Sequence, residues 1–126
     1  MLFKKGSFRT VLVLNNIVIK FPRNLKGILV NINEYYNWLR YKDLRHLLAP
    51  TYISIFGIIN ISKAVELRVN HKDLDRFCSK VGNLIPHPIL SDISLNNIGL
   101  LNGRVVKLDY GNDFWISNIF YKIKNL

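Results

Sequence analysis

The order of apolar and polar residues near the start of the chain predicts a β-hairpin. Phe8 to Val13 and Ile17 to Phe21 are rich in β-branched residues, and Asn15-Asn16 between them tolerates the positive φ of a tight turn. Pro22 ends the second strand because it has no amide proton to donate to a neighbouring strand. We read Gly27 as loosening the connection that follows.

Further along, Tyr52 to Phe56 and Ile58 to Leu67 predict two more strands. Ile98 to Leu101 and Val105 to Leu108 predict a second hairpin, because Asn102-Gly103 between them is the strongest signal for a two-residue turn in the chain. The first half of the chain therefore carries four predicted strands, and the second half carries a small hairpin.

Two segments have helical spacing of their apolar residues. Asn70 is placed to cap a helix from His71 to Val81, and Gly82 is placed to end it. The other helix is predicted from Val30 to Tyr41, with an apolar stripe of Val30, Ile32, Tyr35, Trp38 and Leu39. Strands and helices that alternate irregularly indicate an α+β fold.

Length and composition indicate one folded domain over residues 1–126. Hydrophobic residues make up 49% and charged residues 21%, the balance of a globular protein. Cys78 has no second cysteine for an internal disulfide. No apolar stretch is long enough for a membrane span, and the first residues lack the apolar run of a signal peptide, so we expect a cytoplasmic protein with no membrane partner.

The net charge of +10 predicts a phosphate-rich or acidic partner. The charge is concentrated in residues 1–45, where nine Lys and Arg stand against Glu34 and Asp43. A basic, solvated surface is the alternative reading. The abundance of Ile, Asn and Lys is typical of AT-rich coding sequences, as in many phages and low-GC bacteria. If the protein is encoded by a phage, we expect it in the host cytoplasm.

Three side chains in the second half have the spacing of a phosphoryl-transfer site. Asp92 and Asn97 stand in a D-x-x-x-x-N pattern, and Asp109-Tyr110-Gly111 begins twelve residues after Asn97, beyond the predicted hairpin. This arrangement resembles the catalytic loop and the aspartate-aromatic-glycine metal motif of the protein kinase-like superfamily. The resemblance implies that Asn97 and Asp109 hold Mg²⁺ and that Asp92 orients the acceptor hydroxyl.

The first half carries a second part of the same resemblance. Val18-Ile19-Lys20 is similar to the strand motif whose lysine contacts the ATP phosphates, and Glu34 on the next predicted helix suits the ion-pair partner of Lys20. The implied fold is kinase-like, with an N-lobe-like antiparallel sheet and one αC-type helix over residues 1–69. A much reduced C-lobe over residues 70–126 would carry the catalytic loop and the metal-motif hairpin.

The resemblance also implies contacts for the rest of the nucleotide. Gly6, Ser7 and Val11 correspond to the glycine-rich loop over the phosphates, although Gly6 is the one glycine kept of three. A looser phosphate grip, or one made by Lys4, Lys5 and Arg9, would follow. The segment that contains Glu66 and Arg68 falls where the kinase hinge meets adenine, so both are candidate nucleotide contacts.

Several positions depart from the family pattern. Leu90-Ser91 stands where protein kinases carry His-Arg, and Ser94 stands where a lysine faces the transferred phosphate. Only fifteen residues follow Gly111, so the usual activation segment and peptide platform are not expected. The aromatic tail from Asn112 to Leu126 then covers the core or forms a dimer or partner interface.

Three functions remain in competition. The first is an ATP- and Mg²⁺-dependent phosphotransferase that acts on a protein Ser/Thr hydroxyl or on itself. The second is a pseudokinase-like module that docks on an acidic or phosphorylated partner protein. The third is nucleic-acid binding through the basic first third, where Tyr35, Tyr36, Trp38 and Tyr41 lie among basic residues. Their helical spacing favours packing on the sheet over stacking on bases.

Overall fold

A computed structural model of the chain describes residues 2–5, 8–82, 90 and 93–111. This part has an α+β fold, made of a five-stranded antiparallel sheet, a separate two-stranded hairpin and two α-helices. The elements are β1 (Leu2–Lys5), β2 (Arg9–Leu14), β3 (Ile17–Pro22), α1 (Leu25–Arg40), β4 (Thr51–Ile55), β5 (Ile59–Lys63), α2 (His71–Val81), β6 (Ile98–Leu101) and β7 (Arg104–Lys107), with 3₁₀ helices at Lys42–Leu47 and Leu95–Asn97.

The large sheet has the strand order β1-β2-β3-β5-β4. The predicted hairpin of β2 and β3 is present, and so are the two strands that follow α1. β5 ends at Lys63 instead of continuing to Leu67, because the backbone of Glu66 pairs with Leu100 of β6. The first strand, β1, was not predicted; it has four residues and pairs with β2.

Helix α1 begins five residues earlier than its apolar spacing predicts. The side chain of Asn24 caps it by accepting a hydrogen bond from the Gly27 amide at 2.9 Å. Gly27 therefore lies in the first turn of the helix and does not loosen a connection. A Cβ atom at this position would lie 2.1 Å from the Phe8 carbonyl oxygen, so the close contact between α1 and β2 requires glycine.

The predicted apolar stripe of α1 coincides only in part with its buried face. Ile32 and Leu39 are 46% and 44% exposed, whereas Val30 is buried. Amide and acidic side chains fill most of the inner face, namely Asn31, Asn33, Glu34 and Asn37. The prediction failed here because apolar spacing cannot reveal a helix that packs through hydrogen bonds.

Helix α2 and the β6–β7 hairpin lie where the sequence predicts them. Asn70 and Asp73 form a capping box at the start of α2. In the turn of the hairpin, Asn102 and Gly103 have φ values of 53° and 79°, as a type I′ turn requires. The hydrophobic core under this half of the molecule consists of Leu44, Leu47, Leu48, Phe77, Val81, Leu90, Ile98, Val105 and Tyr110.

Two backbone connections join the large sheet to the hairpin. The Ala49 amide donates to the Lys107 carbonyl at 2.9 Å, and Glu66 and Leu100 exchange hydrogen bonds of 2.9 and 2.8 Å. The segment before β4 is thereby bonded to β7, and the segment after β5 is bonded to β6. Within the described ranges, no helix has the length and apolar character needed to cross a membrane.

Candidate functional site

A cleft with a cavity volume of about 140 Å³ lies between the large sheet and the hairpin and is partly open to solvent. One end of the cleft is apolar and the other carries charged groups. Its lining consists of Val11, Val13, Val18, Lys20, Glu34, Ala49, Ser62, Lys63, Ala64, Val65, Leu67, Asn96, Leu108 and Asp109.

Strand register explains how the sheet lines this cleft. Val11 is opposite Lys20, and Val13 is opposite Val18, which is in turn opposite Ser62 on β5. Directly opposed residues of antiparallel strands point to the same face of the sheet. The first row therefore places Lys20 in the cleft. The second row places Val13, Val18 and Ser62 two residues further along the strands.

Four charged side chains, from β2, β3, α1 and the segment after β7, meet at one end of the cleft. Lys20 Nζ donates to Glu34 Oε1 at 2.6 Å and lies 3.3 Å from Asp109 Oδ1. Arg9 donates through Nη2 to the same Asp109 oxygen at 2.8 Å and through Nη1 to Glu34 Oε2. Two cations and two carboxylates thus form one neutral network.

Glu34 and Arg9 are both buried, and their charges depend on each other. Burial raises the pKa of Glu34, but the positive charges of Arg9 and Lys20 outweigh that effect and hold the pKa below its ordinary value. Burial lowers the pKa of Arg9, while Glu34 and Asp109 raise it above its ordinary value. Both groups are therefore ionised at neutral pH.

Asp109 is the accessible member of the network, with half of its side chain exposed. Partial loss of hydration raises its pKa, but Lys20, Arg9 and Lys107 together lower it to about 2. Its backbone has a φ of 51°, a left-handed conformation that is uncommon for residues other than glycine and that concentrates at functional sites. This strain is consistent with a side chain that is held in a required position.

Helix α1 holds the segment after Asp109 through two amide side chains. Asn37 Nδ2 donates to the Tyr110 carbonyl at 2.8 Å, and Asn33 Nδ2 donates to the Gly111 carbonyl at 2.9 Å. A Cβ atom at Gly111 would lie 2.3 Å from the Val30 carbonyl oxygen. Glycine is therefore required at position 111, because the chain passes directly against the helix that carries Glu34.

Tyr110 anchors the same segment in the hydrophobic core. Its ring is buried, and its hydroxyl donates to the Ala49 carbonyl at 2.7 Å and lies 2.7 Å from Thr51 Oγ1. Burial raises the pKa of Tyr110 above its ordinary value, so the phenol stays protonated and keeps its donor. Tyr110 thus fixes the backbone on one side of Asp109.

Four residues that the sequence proposed for the site line the cleft, and three others lie outside the described residues. Val11, Lys20, Glu34 and Asp109 form part of the lining. Asp92, Gly6 and Ser7 fall outside the described ranges. The aromatic tail does as well.

The candidate nucleotide contacts Glu66 and Arg68 lie on the exposed side of their segment. The cleft is lined instead by Val65 and Leu67, because side chains alternate along an extended backbone. The amide and carbonyl of Glu66 are both taken by Leu100, and its carboxylate accepts the Arg68 amide at 2.9 Å. Neither side chain is part of the cleft lining.

Asn97 is buried and takes part in local structure. Its Oδ1 atom accepts the Ser94 amide at 2.8 Å, and its carbonyl accepts the amide of Leu108 at 2.7 Å. Asn97 therefore ties the 3₁₀ helix to the residue before Asp109.

Asp109 has one carboxylate oxygen to which a hard divalent cation would bind. Asp109 Oδ1 accepts from Arg9 and Lys20, whereas Oδ2 has no hydrogen bond in the described structure. A half-exposed carboxylate with one unengaged oxygen is a suitable ligand for Mg²⁺, which keeps several waters when bound to protein. Among the described residues, no group of three or more His, Cys, Asp or Glu could hold a metal ion.

Several residues of this site were not predicted from the sequence. Asn33 and Asn37 are four residues apart on a helix although asparagine is a poor helix former, and this spacing was the available signal. Arg9 was considered for a phosphate grip, but its guanidinium is turned inward onto Glu34 and Asp109. No local pattern marks Ser62, Val65 or Leu67, which the strand register brings to the cleft.

The aromatic and basic residues at the end of α1 contact each other. The Arg45 guanidinium lies 4.7 Å from the Trp38 ring centroid and donates to the Trp38 carbonyl. Arg40 lies 4.3 Å from the Tyr41 ring and 5.1 Å from the Tyr36 ring. These cation–π contacts join the basic and aromatic residues near the end of α1.

Comparison with protein-family models, curated proteins and solved structures found no match to this chain. Functional assignment therefore depends on the geometry of the cleft and of the charged network.

Proposed function

We propose that this protein is an ATP-dependent phosphotransferase of the protein kinase-like type. The observation that supports it best is the Lys20–Glu34 ion pair beside Asp109, at the charged end of an apolar cleft. These three residues come from a strand, a helix and a post-hairpin segment, in the same order as the corresponding groups of that superfamily. The acceptor would be a Ser/Thr hydroxyl of a protein or of the chain itself.

Each described residue has a role that its chemistry permits. Lys20, which Glu34 fixes at 2.6 Å, would contact the phosphates of ATP. The base would be enclosed by Val11, Val13 and Val18 on the side of the sheet and by Leu108 on the side of the hairpin. Asp109 with Asn97 would hold Mg²⁺, which supplies charge neutralisation for the phosphates. Asp92 would orient the acceptor hydroxyl.

Phosphate transfer and binding give separate tests of this proposal. We expect incorporation of radiolabelled phosphate from Mg-ATP into the protein or into generic acceptors, and loss of that signal in Asp92→Asn and Asp109→Asn proteins. Asp75→Asn is the matched control, because Asp75 is exposed on α2 and is not part of the cleft lining. Transfer that is equal in all four proteins would contradict the assignment.

Binding is measured through thermal stability. Mg-ATP at 100 times its dissociation constant should stabilise the folded protein by about 2.7 kcal/mol. Val18→Phe should remove the shift, because the larger side chain fills the part of the cleft between β2 and β5. The absence of any shift in the unmodified protein would rule out the nucleotide site.

A second candidate function is a pseudokinase-like module that binds a nucleotide without transferring phosphate and docks on another protein. Arg9 and Lys20 already compensate the charge of Asp109, and Ser94 stands where a kinase places a lysine. Loss of one such electrostatic contributor lowers rates by on the order of 100-fold or more. Stabilisation by ATP with no transferred label would favour this second function.

A further inference from the structure

Ser62 carries a buried hydroxyl that has no hydrogen-bond partner. The residue is 4% exposed, and its Oγ atom is among the buried polar atoms without a partner in the described structure. Buried hydroxyl groups are almost always paired, because an unpaired one loses its hydrogen bonds to water without compensation. An exception at the wall of a cleft indicates a group that is kept for a ligand.

Ser62 lines the candidate cleft, unlike the other two residues with such atoms. Ser54 and Asn60 also have buried polar atoms without a partner, but neither belongs to the cleft lining. On the neighbouring strand, Thr51 is opposite Ser62, and its hydroxyl already contacts the Tyr110 hydroxyl at 2.7 Å. Among the described residues that line the cleft, Ser62 is therefore the one with a buried hydroxyl that has no hydrogen-bond partner.

The strand register places Ser62 beside the apolar part of the cleft. It is opposite Val18, whereas Lys20 is opposite Asn60, two residues earlier on β5. Two residues of strand correspond to about 7 Å, so Ser62 stands that far from the level of Lys20, toward Ala64 and Val65. A ligand with its phosphates at Lys20 would have its base at the level of Ser62.

We propose that the Ser62 hydroxyl hydrogen-bonds the edge of the nucleotide base and is a specificity-determining contact of this cleft. The inference rests on the proposed nucleotide site. A serine hydroxyl both donates and accepts, so it pairs with an amino or a carbonyl group on a base and favours ligands that have such a group at their inner edge. The apolar neighbours Val13 and Val18 exclude water and strengthen the contact.

The test compares Ser62→Ala with Ser54→Ala. Both changes remove one buried unpaired hydroxyl, but only Ser62 lines the cleft. Dissociation constants are measured by calorimetry for Mg-ATP and by displacement of a fluorescent nucleotide for adenosine, which has the base without the phosphates. Ser62→Ala should weaken both ligands by a similar factor, roughly 2- to 10-fold, and Ser54→Ala should change neither.

A second readout shows that the variants are folded. Because neither hydroxyl has a partner in the free protein, both variants should melt at or above the temperature of the unmodified protein. Unchanged affinity in Ser62→Ala, or weakening of ATP without weakening of adenosine, would overturn the proposed base contact. If the unmodified protein binds neither ligand, the nucleotide site itself is wrong, and the base contact falls with it.

Discussion

Glu34 is the residue on which the charged network depends. Its carboxylate is 2% exposed and is shared by Lys20 and Arg9, so each cation is neutralised where water is excluded. A buried ion pair adds little net stability compared with apolar packing, but removal of one partner leaves an uncompensated charge. The side chain of Glu34 thus affects both the position of Lys20 and the stability of the sheet.

Glu34→Gln should therefore lower the free energy of unfolding by about 3 to 5 kcal/mol. The neutral amide leaves Arg9 and Lys20 buried with one carboxylate, Asp109, between them. Urea denaturation at neutral pH measures the effect. Glu66→Gln, at an exposed position, should change stability by less than about 0.5 kcal/mol. A loss below about 1 kcal/mol for Glu34→Gln would show that the network does not need its buried carboxylate.

Among the elements, α1 is distinctive because it packs through amide side chains. Asn31 Nδ2 donates to the Gly57 carbonyl at 2.9 Å, while Asn33 and Asn37 hold the segment after Asp109. Each bond is directional, so the helix is fixed in one rotation about its axis. This arrangement brings Glu34 to Lys20, which apolar packing alone would leave less precisely defined.

Asn37→Ala should cost about 1 to 3 kcal/mol, because the buried Tyr110 carbonyl loses its side-chain donor. The same substitution at Asn15, an exposed turn residue, is the control and should be close to neutral. Chemical denaturation gives the two free energies. Equal effects at the two positions would mean that the amide contact contributes nothing to the position of the segment.

Gly103 in the β6–β7 turn and Gly82 at the end of α2 differ in the backbone conformation that they adopt. Gly103 has a φ of 79°, and a Cβ atom there would meet nothing within 4 Å. Gly82 is equally open, but its φ is −52°, a conformation that any residue adopts. Substitutions at these two glycines therefore separate the effect of backbone conformation from the effect of steric contact.

Gly103→Ala should destabilise the protein by about 1 kcal/mol through backbone strain alone, whereas Gly82→Ala should be neutral or stabilise it by up to about 1 kcal/mol. Thermal or urea unfolding of both variants measures the difference. If both substitutions had the same sign and size, the type I′ geometry of the β6–β7 turn would not limit stability.

At the scale of the whole molecule, the charged network joins the sheet, α1 and the post-hairpin segment, so its ionisation affects global stability. The pKa values of Asp109 and Glu34 lie below their ordinary values in the folded protein. As pH falls, the unfolded chain takes up protons first, at about pH 4, while folded Asp109 resists protonation down to about 2. This contribution is complete above about pH 5 and is lost toward pH 2.

The free energy of unfolding should accordingly fall between pH 5 and pH 3, as measured by urea titrations at several pH values. Asp109→Asn should make this slope shallower, because one of the two carboxylates with a low pKa is gone. Asp75→Asn, at an exposed position on α2, should leave the slope unchanged. Identical slopes in the Asp109 and Asp75 variants would contradict the role of Asp109 in the network.

Sequence reasoning succeeded where neighbouring residues decide the structure. The Asn102-Gly103 turn, the Asn70 cap of α2 and the paired strands β2 and β3 follow from backbone preferences and local hydrogen bonds. The Lys20–Glu34 pair was expected from a resemblance in the order of motifs, and the structure contains it. Its role toward a nucleotide stays a prediction.

The tertiary structure alone decided which side chains meet at the cleft. Arg9 and Asp109 are 100 residues apart in the sequence, and no local pattern predicts their contact. Val65 and Leu67 line the cleft in place of Glu66 and Arg68, because a backbone bridge to Leu100 sets which face of the segment turns inward. Side chains along extended backbone alternate between two faces, and the choice between those faces depends on partners far away in the chain.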